Sequence, residues 1–87
     1  MSSRALDWES FSRKVDKHIV EYTIPQYGDK GDDQADGYTV EDFVKQIKKY
    51  ATRSGKNSRP GQEELDLIKI AHYAQMAHTL IGEEDAH

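Results

Sequence analysis

"TVEDFVKQIKKYATRSGKNSRPGQEELDLIKIAHYAQMAHTLI", residues 39–81, reads as two amphipathic helices joined by a basic turn. Thr39 is a good N-cap residue, and Asp42 three positions on supplies the carboxylate of a near capping box at the positive end of the helix dipole. A helix is therefore expected over 40–54. At about 100° per residue, Val40, Phe43, Val44, Ile47, Tyr50 and Ala51 share one arc, and Lys45, Lys48, Lys49 and Arg53 take the opposite side. Gly55 stands where a left-handed C′ residue is wanted, and Pro60 blocks continuation. A second helix is expected over 62–81, with Glu63, Glu64 and Asp66 in its first turns. Its apolar arc is broad: Leu67, Ile70, Ala71, Tyr73, Ala74, Ala77, Leu80 and Ile81, with Leu65, Ile68 and Met76 outside it. Such a helix needs cover on more than one side.

Working outward, Asp7 can cap an earlier helix whose apolar members Trp8, Phe11, Val15, Ile19 and Tyr22 lie on one narrow stripe. That helix is expected over 8–22, ending near Thr23 because Pro25 disfavours helical geometry at Ile24. Between them, "TIPQYGDKGDDQADGY" keeps no period, and its glycines and aspartates mark turns. The fold expected is all-α: a small three-helix bundle with a long acidic loop between helices 1 and 2. One domain is expected over 1–87, frayed at 1–6 and 82–87. Ile24, Tyr27 and Tyr38 are candidates to cover the flank of the last helix.

The chain has 87 residues, no cysteine and a formal net charge of −4. No disulfide or thiolate metal site can staple so small a core. No apolar run suggests a membrane span, and "MSSRALDWES" lacks the apolar region of a signal peptide, so a cytoplasmic protein is expected. The overall charge argues against generic coating of nucleic acid. It hides a segregation, however: residues 45–59 hold Lys45, Lys48, Lys49, Arg53, Lys56 and Arg59 with no acid, while residues 29–42 hold six acids and one lysine.

Those six cations are the candidate anion-binding residues, able to converge on a phosphate with amides near Pro60 to Gln62. The plainer use of them is a solvated face paired with the acidic loop or with Glu63 and Glu64. Asp66 falls inside the apolar arc and needs a partner; Arg53, Lys49 or Tyr50 could supply it, and a structural ion pair of Asp66 with Arg53 is expected rather than a catalytic role. Asp32, Gln34, Asp36 and Gly37 mimic part of an EF-hand loop, which makes Asp32 and Asp36 the candidates for Mg²⁺ or Ca²⁺, although Phe43 stands where the bidentate glutamate belongs. Glu63 and Asp66 match half of the paired acidic motifs of all-α nucleotide pyrophosphohydrolases, without the Glu-x-x-Glu partner. His72, His78 and His87 form no ligand set by spacing. No cofactor or catalytic motif is complete.

The segments "IKKYATRSGK" and "EELDLIKIAHYAQMA" together resemble a family of small phage-borne and bacterial helical proteins of unknown function. The family's hairpin carries a Lys-Tyr, an Arg, a Gly-Lys turn and an Asp-Leu-x-Lys with a following Tyr, here Lys49, Tyr50, Arg53, Gly55, Lys56, Asp66, Leu67, Lys69 and Tyr73. "PQYGD" at 25–29 is similar to an element in phage-linked proteins associated with nucleotide modification. These resemblances imply a helical hairpin and a setting near nucleotide metabolism in mobile elements, and no particular reaction. The expected function is binding of an anionic partner (nucleotide, phosphate or nucleic acid) through the basic face of 40–61. The alternatives are a homo-oligomeric or adaptor module using the apolar face of 65–81, with a homodimer favoured slightly, and, third, a Mg²⁺-dependent nucleotide pyrophosphohydrolase.

Overall fold

The computed structural model of the chain describes residues 2–27, 37–53 and 59–85. The protein is all-α, with three helical rods and no strand among the described residues. The first rod is α1 (Ser3–His18), a π turn (Ile19–Thr23) and α2 (Ile24–Tyr27); the others are α3 (Val40–Arg53) and α4 (Gln62–Asp85). The chain divides into two compact units, residues 1–36 and 37–87. No helix among the described residues is long and apolar enough to cross a membrane.

The first rod is longer at both ends than the 8–22 expected. Its N-cap is Ser2 rather than Asp7: the Ser2 Oγ accepts from the Ala5 N–H at 3.1 Å, and Ser2 has extended backbone. Nothing between Ser3 and Asp7 breaks a helix, so the helix runs back to an earlier cap, and residues 3–6, expected to fray, belong to it. Nor does the rod stop before Pro25. A proline ring in an α-helix clashes with the carbonyl four residues back and cannot donate to it. Here the turn before it is widened to π geometry, with the Ile24 N–H bonding the Ile19 carbonyl. One extra residue in that turn shifts the carbonyls out of the ring's path, so Ile24 stays helical at φ −63° and ψ −47°. The stripe of this rod is half-buried at Phe11, Val15 and Ile19, while Trp8 and Tyr22 are exposed. Trp8 and Phe11 make a tilted ring contact, and Tyr22 stacks on His18.

In the second unit, α3 and α4 pack as a hairpin. α3 begins on the capping box that Thr39 and Asp42 imply. The Thr39 N–H and hydroxyl donate to the Asp42 Oδ2 at 2.8 and 3.0 Å, and the Asp42 N–H donates back to the Thr39 Oγ1 at 3.2 Å. These bonds from Thr39, with Lys45 nearby, hold the Asp42 carboxyl below its usual range. The entry to α4 is a type II turn over Arg59-Pro60-Gly61-Gln62. Pro60 sets φ at the first central position, Gly61 takes φ +79° at the second, and the Gln62 N–H bonds the Arg59 carbonyl at 3.2 Å. α4 then runs through Gly82 to Asp85, four residues past the expected end.

The azimuth of α4 is not the one its apolar arc suggests. Ile68 and Ala77 are buried and Leu65 and Met76 half-buried, whereas Leu67, Ala74 and Ile81 face solvent. The apolar side is turned by roughly a quarter of the circumference from the expected arc. An apolar pattern that wraps most of a helix does not fix its rotation. Asp66, Tyr73 and Ala77 lie where the expected and the observed arcs overlap and still face α3, while Ile68, outside the expected arc, is buried. Phe43 is the buried centre on α3, with Tyr38 and Tyr73 rings against it at 5.4 and 6.3 Å.

Candidate functional site

Asp66 has no solvent exposure. Arg53, at the last turn of α3, donates from Nη2 to Asp66 Oδ1 at 2.6 Å, and Gln62, one turn earlier on α4, donates from Nε2 to the same oxygen at 2.8 Å. A carboxylate taken from water would ordinarily be neutralised, because burial penalises its charged form. The Arg53 hydrogen bond outweighs that penalty and, helped by Gln62 and the charges of Arg53 and Lys69, holds the Asp66 carboxyl below its usual range. Arg53 is correspondingly pushed above its ordinary value by the same bond. Asp66 Oδ2 and Arg53 Nε are both buried without a partner. They are the second donor and acceptor of a side-on guanidinium–carboxylate fork, of which Nη2 to Oδ1 is the bond already made.

Above this pair lies Tyr50, half-buried on α3. Its ring stacks on Tyr73 of α4 with centroids 5.9 Å apart and planes 18° from parallel. Three cations gather on the same ring: the Arg53 guanidinium carbon at 4.8 Å from its centroid, Lys69 Nζ at 5.2 Å and Lys49 Nζ at 5.5 Å. Lys49 and Arg53 come from α3 and Lys69 from α4, so the cluster spans the hairpin.

The six candidate anion ligands thus separate. Lys45, Lys48 and Lys49 are exposed on α3. Arg53 is turned onto Asp66 and Tyr50, and its charge is matched by a carboxylate. Arg59 is exposed in the turn entering α4. Lys56, and the EF-hand-like Asp32 and Asp36, lie outside the described residues. Among the described residues no carboxylate is within ion-pair distance of Lys45, Lys48 or Lys49, and no three His, Asp or Glu side chains group as a metal site. Glu63 and Asp66 do not face a common point as a metal pair would require: Glu63 is exposed, and Asp66 is enclosed by Arg53 and Gln62. Lys69 was not among the candidates read from the basic stretch. Its signal was its place one turn from Asp66, on the helix facing Tyr50.

No protein-family model, curated protein or solved structure matches the chain.

Proposed function

We propose that the protein binds an anionic partner, a nucleotide, phosphate or nucleic acid, through the basic side of α3. The observation that carries this reading is the exposure of Lys45, Lys48 and Lys49 on one helix with no carboxylate in ion-pair distance among the described residues. Three lysines along one helix track a phosphate backbone, and the capping box holds that helix at its first turn. The resemblance of the hairpin to phage-borne helical proteins is part of the same proposal.

The test is a titration with a labelled single-stranded oligonucleotide across a salt series. Three lysine–phosphate contacts on a single strand imply a slope of log K against log salt near about −2. Lys45→Gln with Lys48→Gln should flatten that slope and weaken binding. A protein that retards no oligonucleotide or nucleotide at low salt does not have this function.

The second reading is a homodimer through α4, favoured by the exposure of Leu67 and Ile81 at 48% and 44%.

A further inference from the structure

We infer that the Tyr50 cluster is a clamp for one dianionic phosphate group, a phosphate monoester or inorganic phosphate, held between Lys49 of α3 and Lys69 of α4. This rests on the anion-binding reading and narrows it to a site and a ligand class.

Three cations from two helices stand within 5.5 Å of a single ring centroid. One carboxylate, Asp66, stands against them, and it is taken up by Arg53 at 2.6 Å. Arg53 is thereby fixed as a positioning residue rather than a ligand. Its guanidinium carbon lies 4.8 Å from the Tyr50 centroid and is tied to α4 through Asp66, so the pair fastens together the two helices that carry the lysines. Three cations against one carboxylate leave a surplus of two positive charges: Lys49 rests on the Tyr50 ring, and Lys69, on the same ring, shares the field of Asp66 with Arg53. Like charges brought together in this way repel, and an anion between them relieves the repulsion. A surplus of two positive charges fits a phosphate monoester, which carries close to two negative charges at neutral pH. An internal phosphodiester carries one, and matches the site half as well. The exposed row of Lys45 and Lys48 is the surface suited to diesters. The clamp is the place for a terminal phosphate.

The experiment is a titration of the full chain at pH 7.5 and low salt with ethyl phosphate and, separately, dimethyl phosphate. It follows the Lys side-chain ammonium and Tyr50 ring signals by NMR. Ethyl phosphate should shift Lys49, Lys69 and Tyr50 together, while dimethyl phosphate should bind at least about tenfold more weakly, the loss expected when one charge-assisted contact goes unmade. Lys49→Gln and Lys69→Gln should each weaken ethyl phosphate by about tenfold. Lys69→Arg should restore it. Equal binding of the two esters, or shifts that ignore Lys69→Gln while thermal melting is unchanged, would overturn the clamp. If oligonucleotide binding persists in that case and is lost with Lys45→Gln and Lys48→Gln, the broader anion reading stands and only the clamp falls. If neither ester nor oligonucleotide binds the wild-type chain, both fall.

Discussion

A carboxylate without solvent exposure stays ionised only while a cation faces it, and for Asp66 that cation is Arg53. Asp66→Ala should therefore destabilise the fold by about 2–3 kcal/mol, less than a wholly buried pair because the Arg53 side chain is 41% exposed. Urea unfolding measures it, and a loss under about 0.5 kcal/mol would mean the pair is not structural. Arg53→Lys should substitute only in part, since an ammonium can keep one bond to Asp66 Oδ1 but loses the planar guanidinium's contact with the Tyr50 ring. The pH dependence has a definite sign. Arg53 holds the Asp66 carboxyl below its unfolded value, so between the two values the unfolded chain binds the extra proton. The stabilisation is then complete above about pH 4 and is lost as pH falls through the lower, folded value. Asp42 acts in the same direction, through its bonds to Thr39. Asp66→Asn should make the acid limb of a stability-against-pH curve shallower without changing the limb above pH 6. An unchanged acid limb would assign acid sensitivity to other groups.

At the scale of elements, what could be read from the sequence was local chemistry, and what could not was rotation and continuity. Thr39 with Asp42 announced the start of α3, and Pro60-Gly61 the turn into α4, because each depends on residues within four positions of one another. The Asp66–Arg53 partnership was legible too, since a lone acid on an apolar arc must find a cation across the hairpin. The azimuth of α4 was not, because its apolar residues nearly encircle it and Asp66 lies where the expected and observed arcs overlap, so the polar pair is compatible with either rotation. Lys69 was missed as a site member for the same reason: only that rotation brings it over Tyr50. The π turn was hidden because a proline ordinarily ends a helix, and whether a widened turn will absorb it is not written in the flanking residues. Pro25→Ala should remove the reason for the wide turn. The Ile24 N–H is then expected to move from the Ile19 carbonyl to that of Val20, visible in hydrogen-bond scalar couplings, with helicity by circular dichroism unchanged or higher. Retention of the π pattern would show that something other than Pro25 imposes it. Gly61→Ala, at φ +79°, should cost about 1 kcal/mol in urea unfolding although no atom crowds the added methyl.

At the scale of the whole molecule, α4 raises the question of self-association. Between Ile70 and Gly82 it carries no charged side chain. Its exposed side offers Leu67, Ala74 and Ile81, and Leu67 and Ile81 each stand seven residues from Ala74. Two copies crossing antiparallel about Ala74 would set each Leu67 against the partner's Ile81, with only a methyl at the axis to keep the backbones apart. The side of α4 around Ile68, which lies outside the arc expected to face α3, is not available for this role, since Ile68 is 8% exposed. Ile68→Lys is therefore expected to unfold the hairpin rather than report on association. The same antiparallel pairing brings Glu63 and Glu64 toward the partner's acidic C-terminal turn. That repulsion would make such a dimer salt-dependent in an unusual direction: screening should strengthen it, whereas screening should weaken the anion binding proposed for the lysines. Sedimentation at micromolar concentration should show mass rising between about 50 mM and 500 mM salt, across which the Debye length falls by roughly threefold. Leu67→Lys or Ile81→Lys should abolish the rise while leaving the melting temperature near wild type. A monomeric mass at every salt concentration would rule out the α4 dimer, and a dimer that Leu67→Lys and Ile81→Lys leave intact would place its interface elsewhere on the chain.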